Sequence, residues 1–308
     1  MNNLTSLLSM GLAMSTPLIL GTLGGLFTYK AGVLNIAIEG MMATGAFTSI
    51  LVIYFSHSIW LGVLVSILAT LLVGLIFSVF SVTLKGHNVI NGLGINYAVA
   101  SIAPFVCLYL VGNRTSIIVT DVVVPSNIVL DIPILRSIPI LSDFLNKQTP
   151  LTYLSLLLIL VTSVILYRTK FGVYTQVCGE NKEAAESIGI NVNLVRYGAV
   201  AMSALMSALA GVNLSVENLG MYTDNMVSGR GFTCMAAIYC GKGKPVRCVA
   251  YAIIFGVARA LQIKLTTMFD AATGSLVEML PYLMIVIVMF ISSLDDYRKR
   301  NIRGYRNG

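Results

Sequence analysis

Polar side chains that interrupt long apolar stretches carry most of the chemistry that this sequence offers. Asn35 and Glu39 are four residues apart, a spacing that puts two side chains on one face of a helix. Asn91 and Asn96 lie five residues apart in another apolar stretch. Polar groups in lipid usually face the interior of a bundle or a water path. We predict that these four residues line a polar path, with hydrogen bonding between helices as the alternative for each.

Two aromatic side chains accompany the amides of the second stretch. The rings of Tyr97 and Phe105 can stack on a flat heterocycle such as a nucleobase, and ordinary packing is the alternative. The predicted translocation path therefore consists of Asn35, Glu39, Asn91, Asn96, Tyr97 and Phe105.

Other charged residues fall in or beside apolar stretches. Arg259 lies in the middle of one, so we expect it to pair with Glu39, with Glu278 or with a backbone carbonyl. Asn213 and Glu217 lie near the end of another stretch, where we expect water to solvate them.

Reactive groupings are not visible in the sequence. The two histidines, His57 and His87, lie in separate loops, and neither has a carboxylate at a metal-ligand spacing. No two of the five cysteines form a CxxC pair, so we interpret them as small buried residues. No serine, histidine and aspartate combine into a nucleophilic arrangement. We therefore predict no enzymatic activity, no metal site and no cofactor on this chain.

The composition indicates that most of this chain lies in a lipid bilayer instead of water. The chain has 308 residues, of which 56% are hydrophobic and 11% are charged, whereas about 25% charged residues are usual in soluble domains. Because a membrane-spanning helix needs about 20 apolar residues, we predict one all-α integral membrane domain over 1–308 with about nine transmembrane helices (8–10). The nine apolar stretches are about 8–28, 36–56, 59–84, 91–112, 151–168, 194–216, 231–241, 248–268 and 276–293.

The positions of the basic residues predict how the bundle is oriented across the membrane. They flank apolar stretches, and the tail at 294–308 carries five basic residues against two acidic ones. Since basic loops stay in the cytoplasm, the tail and 169–193 are predicted inside, and a loop at 113–150 outside. Charge placed in this way explains the net charge of +7 without nucleic acid. The stretch at 231–241 follows a glycine-rich segment and is short, so we predict a broken or re-entrant helix there, and we favour nine crossings.

The polar loop between the fifth and sixth stretches contains a second candidate site. Asn181 can cap a short helix over Lys182–Ser187, and Gly189 lies near its end. Ala184 and Ala185 form a small patch beside the charges of Glu183 and Glu186. Such a helix can dock into a groove on another protein, and a solvated connector is the alternative.

Four runs of residues, taken together, resemble one family. These runs are GENKEAAESIGIN (179–191), GVLNIAIEGMMATGAF (32–47), SGRGFTCMAAIYCGKGKP (228–245) and, as a weaker match, HNVINGLGINYAVA (87–100). They are similar to motifs of ABC importer permeases for simple sugars and nucleosides, which are related to ribose and branched-chain amino acid permeases. Arg230 replaces a residue that is commonly smaller in the family, and Cys240–Lys242 varies a turn.

The resemblance implies a function, partners and a location. In that family the short cytoplasmic helix, here Asn181, Glu183, Ala184, Ala185, Glu186 and Gly189, couples the permease to an ATPase. ATP and Mg would bind that partner, and this chain has no Walker A pattern. A second permease subunit (homologous but not identical) and an extracytoplasmic binding protein are also implied, in a bacterial cytoplasmic membrane. Nucleosides are favoured over simple sugars, while ribose-type sugars and branched-chain amino acids stay open.

Two other classes of protein compete with this interpretation. A secondary transporter driven by an ion gradient needs a buried coupling carboxylate, for which Glu39 is the candidate. A membrane-embedded enzyme needs a reactive grouping near one interface, and the sequence shows none.

Overall fold

The computed structural model describes residues 2–113, 115–119, 121–123, 128–130, 146, 148–268, 277–291 and 294, with side chains from residue 7 onward. Its helices, in chain order, are α1 (Asn2–Lys30), α2 (Ile38–Ser56), α3 (Ile59–Ser78), α4 (Asn88–Val111), α5 (Pro150–Arg168), α6 (Lys170–Glu180), α7 (Lys182–Ser187), α8 (Val192–Val212), α9 (Arg230–Cys240), α10 (Pro245–Thr266) and α11 (Leu280–Ile291). Helices α3 and α8 continue into π-helical segments, Val79–Thr83 and Asn213–Leu219. Two short strands, β1 (Ser116–Ile118) and β2 (Met221–Thr223), pair antiparallel.

Seven of these helices are long and apolar enough to cross a membrane: α1, α2, α3, α4, α5, α8 and α10. A helix rises 1.5 Å per residue, so about 20 residues match a hydrocarbon core of about 30 Å. Between its first and last turns, such a helix satisfies its backbone polar groups internally, which is why long apolar stretches take this form in lipid. The prediction of an all-α integral membrane protein is confirmed.

The described residues contain seven helices that are long enough to cross a membrane, fewer than the nine crossings that the sequence predicts. Helix α9 has 11 residues, or about 16 Å, roughly half of a hydrocarbon core. Irregular backbone precedes it, as predicted for the stretch at 231–241. The final predicted stretch (276–293), the outer loop (113–150) and the tail (294–308) lie partly or mostly outside the described residues. The count of about nine crossings stays a prediction.

Helix α1 is the central element of the bundle. It packs most extensively against α10 and α8 and also contacts α9, and Leu20, Leu23 and Phe27 are fully buried. Glycine allows the closest approach: a Cβ atom at Gly256 of α10 would collide with Ser15 of α1. In lipid, small residues permit such backbone contact and hence dense packing between helices.

Helix α2 does not begin where α1 ends. The chain continues past Lys30 as irregular backbone over 31–37, and the side chain of Ile38 then packs against Gly25 of α1. Gly25 lies five residues before the end of α1, which corresponds to about 8 Å along the helix axis. The chain therefore folds back along α1 before α2 starts, so that the first turn of α2 lies within the bundle.

Overfilling the contact between α2 and α8 is expected to destabilise the bundle. A Cβ atom at Gly211 would collide with the carbonyl oxygen of Met42, which cannot move without moving α2. Gly211→Ala should lower the free energy of unfolding by about 1–3 kcal/mol, the usual range for overpacking. Thermal unfolding of the purified protein in detergent measures this. Gly94→Ala is the control, because Gly94 has open space around it, and an equal loss of stability in both variants would contradict the packing argument.

Candidate functional site

The partly buried carboxylate of Glu39 holds the start of a different helix. Its Oε1 accepts a hydrogen bond from the N–H of Gly229 at 2.8 Å, and its Oε2 accepts one from Gly231 at 2.6 Å. Gly229 is the N-cap of α9, with a left-handed φ of 76°. Amide groups at a helix start have no partner within the helix, and the helix dipole favours negative charge there. Glu39 of α2 therefore caps α9 through tertiary contact.

This cap lies near the middle of the membrane span of α1 (Leu7–Lys30). Cys234, in the first turns of α9, donates its thiol to the carbonyl of Leu18 at 3.4 Å. At the other end of α9, the loop residue Gly243 lies against Tyr29 at the end of α1. Helix α9 therefore runs from the middle of the bundle to the end of α1, and α2 and α9 both begin beside Glu39.

Two arginines lie near this cap, and both donate to backbone carbonyls. Arg230 donates from Nη1 to Met226 at 2.6 Å and to Val227 at 3.0 Å. Arg259 donates from Nη1 to the carbonyl of Ser228 at 3.5 Å. Of the partners that we considered for Arg259, the structure shows the backbone carbonyl. The two guanidinium groups thus hold the irregular segment that leads into α9.

Asn96 joins α4 to the beginning of α2. Its Oδ1 accepts from the N–H of Gly40 at 2.8 Å, and its Nδ2 donates to the carbonyl of Ile36 at 3.0 Å. Both ends of the amide are therefore used between helices, as in the structural alternative that we considered. The same residue also forms part of the wall of a cavity.

Asn35 stabilises the irregular segment before α2. It is fully buried, its Oδ1 accepts from the N–H of Ala37 at 3.0 Å, and its Nδ2 donates to Ser203 of α8 at 3.0 Å. The expectation that Asn35 and Glu39 share a helix face is wrong, because α2 begins only at Ile38. Asn35 instead fixes the turn that delivers Glu39 to α9.

A cavity of about 210 Å³ opens beside the carboxylate. We call it the carboxylate cavity; Glu39 and Asn96 line one side, and Tyr222 of β2 lines another, together with Asp224 and Asn225 of the loop between β2 and α9. Burial, and to a smaller extent the charge of Asp224, raises the pKa of the Tyr222 phenol. The phenol therefore keeps its proton at neutral pH. The cavity offers carboxylate, amide and hydroxyl groups, which suit a cargo rich in hydrogen-bonding groups.

Of the predicted path, only Glu39 and Asn96 line this cavity; Asn35 lies in the turn before α2, and the other three residues lie elsewhere. Asn91 donates from Nδ2 to Ser81 at 3.1 Å and so joins α4 to the π-helical segment after α3. The side chains of Tyr97 and Phe105 are each 70% exposed on α4. The structure thus brings Asn35, Glu39 and Asn96 together and leaves the two aromatic rings on an outer surface of the chain.

The burial of a further carboxylate, that of Glu217, was missed by the sequence reasoning. Glu217 is only 7% exposed; its Oε1 accepts from the N–H of Leu151 at 3.1 Å, and its Oε2 accepts from Asn213 at 2.7 Å. The expectation that water solvates Asn213 and Glu217 is wrong. Leu151 belongs to the first turn of α5, whose free N–H needs an acceptor. Pro150 at the start of that helix was the available signal.

The predicted short helix forms as α7, Lys182–Ser187. The Oδ1 of Asn181 accepts from the N–H of Ala184 at 3.0 Å, and Gly189 follows the helix with a left-handed φ of 82°. Ala185 is fully buried against its own chain, near Cys178 and Val192. The outward surface of α7 therefore carries Ala184 and the charged side chains, without Ala185.

The loop that contains α7 touches the segment before α2 directly. A Cβ atom at Gly179 of α6 would collide with the carbonyl of Lys30, and Gly32 lies against the Cα atom of Gly179. Arg196 of α8 donates from Nε to the carbonyl of Ala31 at 3.2 Å. One continuous set of contacts therefore runs from α7 to the turn that holds Glu39.

Comparison with known proteins identifies the class of protein to which this arrangement belongs. A family model described as "Branched-chain amino acid transport system / permease component" matches residues 7–289. A guanosine ABC transporter permease of Bacillus subtilis is 30% identical over 92% of this chain and 91% of its own length. A nucleoside ABC transporter permease of Lactococcus lactis is 26% identical over 94% and 92%, respectively.

Other comparisons are more limited. An autoinducer 2 import system permease of Yersinia enterocolitica is 29% identical over 32% of this chain and 28% of its own. No solved structure matches the chain. The family model nevertheless covers nearly the whole sequence, and the chain belongs to this family of permease components: it is a multi-pass membrane protein, and transport permeases of this kind are not themselves enzymes.

Proposed function

We propose that this chain is the membrane-spanning subunit of an ABC importer that carries nucleosides. The observation that supports this most directly is the similarity to guanosine and nucleoside permeases over more than nine tenths of the chain. The polar carboxylate cavity is consistent with a cargo that has many hydroxyl and amide groups. Simple sugars share the hydroxyl groups and remain the second candidate cargo.

Membership of this family implies an ATPase subunit and a substrate-binding protein. We propose further that the second permease subunit is a homologous, non-identical chain, and that ATP and Mg bind the ATPase alone. The binding protein selects the cargo on the outer side. Contacts between cargo and permease can then be weak, because a pathway must release what it admits.

We infer that the carboxylate cavity is part of the route and that its walls move in alternating access. Helices α2 and α9 both begin at Glu39, and the loop between β2 and α9 forms the opposite wall. Movement of α9 relative to α2 would widen or close the cavity. Discontinuous helices that meet inside a bundle are a common way to build a transport site.

We also infer that α7 receives the motion of the ATPase and passes it to this site. The route runs through α6, across the contact between Gly179 and residues 30–32, to Asn35 and Glu39. Because the contact at Gly179 is between backbones, a shift of α6 must move the segment that precedes α2.

Uptake measurements test the proposed cargo. Cells that lack this gene should take up radiolabelled guanosine at least about tenfold more slowly than cells complemented with it, since uncatalysed permeation of a polar solute through lipid is slow. Excess unlabelled adenosine should compete, whereas glucose and ribose should not. Competition by a sugar but not by nucleosides would contradict the nucleoside proposal. Unchanged uptake after deletion of the ATPase gene would support the ion-coupled alternative instead.

A helix-breaking residue in α7 tests the coupling proposal. Ala185→Pro removes a backbone N–H and distorts the helix, so the ATPase should no longer co-purify and cargo-stimulated ATP hydrolysis should be lost. Glu180→Ala is the control, because Glu180 is exposed outside α7. Unchanged co-purification and hydrolysis in Ala185→Pro would reject the docking role.

The Gly179 contact can be tested separately from docking. Gly179→Ala should leave ATPase co-purification intact, because Gly179 lies outside α7, yet lower cargo uptake. Displacing a packed element by even about 1 Å commonly lowers activity by about 100-fold in positioned sites, and we expect at least a tenth of that effect. Uptake and basal ATP hydrolysis are measured in the same vesicles. Normal uptake in Gly179→Ala would show that this contact transmits nothing.

The Glu39 cap should be required for the structure of the site. Glu39→Ala leaves the N–H groups of Gly229 and Gly231 without their acceptor, at a loss of about 1–3 kcal/mol each, whereas Glu39→Gln retains one acceptor oxygen. We expect both thermal stability and uptake to fall in the order wild type, Glu39→Gln, Glu39→Ala. A stable Glu39→Gln protein whose uptake has only lost its dependence on an ion gradient would indicate a coupling carboxylate instead of a cap.

A further inference from the structure

A basic cleft lies beside α7. It is separate from the carboxylate cavity, and the proposed roles of that cavity and of α7 give it no function. It is an open cavity of about 500 Å³ at the turn between α3 and α4. Its charged lining comes from Lys85, Lys182 and Arg196. None of the residues that line it carries a carboxylate. We refer to this surface as the basic cleft.

The cations of the basic cleft come from three separate elements. Lys85 is exposed at the tip of the α3–α4 turn, where its φ is 53°. Lys182 is the first residue of α7, and Arg196 lies in the first turns of α8. The fold thus gathers these charges from distant parts of the sequence. Like charges gathered in one concave place repel one another and raise the local affinity for an anionic partner.

The contacts that Lys182 and Arg196 make within the chain leave most of their positive charge free to attract an anionic partner. Lys182 lies 3.5 Å from Glu186, but both side chains are about half exposed, and such pairs contribute little. Arg196 uses its Nε on the carbonyl of Ala31, which is not an anion. The charge of the basic cleft is therefore not neutralised by the residues that line it.

The position of the basic cleft indicates its partner. Lys182 belongs both to the basic cleft and to α7, so a protein docked on α7 would also lie over the cleft. The neighbouring outward surface of α7 has the opposite sign, with Glu183 and Glu186 exposed. Adjacent patches of opposite sign fix the orientation of a partner more strongly than one patch does.

We propose that the basic cleft binds an acidic patch on the ATPase subunit, so that the α3–α4 turn is a second ATPase contact beside α7. This inference rests on the proposed docking of the ATPase at α7. It assigns the α3–α4 turn a part in holding the ATPase in one orientation. Because Arg196 of the cleft also holds Ala31, the second contact would act close to the segment before α2.

Binding of the ATPase to the purified permease, in nanodiscs of zwitterionic lipid, tests the proposal. Lys85→Glu should weaken binding about tenfold at 50 mM salt, and the difference should shrink to about twofold at 500 mM salt because salt screens exposed charges. Lys85→Arg should bind like the wild type. Both variants keep a Cβ atom at the same strained position, so a backbone effect would appear in both.

The matched control is Lys244→Glu, which reverses an exposed charge on another basic turn that does not line the cleft. Equal affinities for Lys85→Glu and Lys244→Glu would overturn the second contact. If Ala185→Pro still abolishes binding in that case, the proposed α7 docking survives alone. If Ala185→Pro and Lys85→Glu both bind normally, both proposals fail.

An anionic lipid headgroup is the competing ligand for the basic cleft. The same titrations are therefore repeated in nanodiscs with phosphatidylglycerol. A Lys85→Glu effect that appears only with this lipid, and is absent in zwitterionic nanodiscs, would assign the cleft to lipid and overturn the ATPase contact.

Discussion

A partly buried carboxylate that holds the start of a helix is the interaction on which the rest of this permease depends. Helix α9 begins inside the bundle, and two of its first N–H groups donate to Glu39. Unpaired backbone groups in a membrane cost several kcal/mol each. The cap therefore allows the chain to use a helix of half the usual length, and with it an irregular segment that lines a cavity at membrane depth. Glu217, which is buried, serves α5 in the same way, so that two acidic side chains each stabilise a helix start that lies far away in sequence.

This constraint also explains how distant parts of the chain come together. Glu39 reaches α9 only because residues 31–37 fold back along α1, and this segment is held by Asn35 on one side and by Arg196 and Gly179 on others. The loop proposed to contact the ATPase and the cavity proposed to pass cargo therefore share one short piece of irregular backbone. In a densely packed bundle, a displacement at one end of that piece must be accommodated at the other.

Much of the architecture could be predicted from the sequence, and the limits are physical. Apolar stretches locate the spanning helices because a backbone in lipid must satisfy its hydrogen bonds within the helix. Asn181 and Gly189 mark the ends of α7 because helix caps are formed by residues that are adjacent in sequence. Asn35, Glu39 and Glu217 were recognised as polar residues, but their partners were not. The carboxylate of Glu39 accepts its hydrogen bonds from residues 190 and 192 positions away in the sequence. No local sequence pattern encodes contacts over such separations. Tyr97 and Phe105 illustrate the opposite case, since aromatic type alone did not reveal that both rings lie on an outer surface.

The central claim is that the cavity beside Glu39 opens and closes as the ATPase works. The most direct measurement is a pulsed electron paramagnetic resonance distance between spin labels at Val99 on α4 and Asn225 in the loop before α9, which both line this cavity. In the assembled transporter, the distribution of distances without nucleotide should differ from that with trapped ATP by several ångströms, as expected for shear or hinge movement of packed helices. An unchanged distribution, in a sample that hydrolyses ATP and transports cargo, would contradict the account.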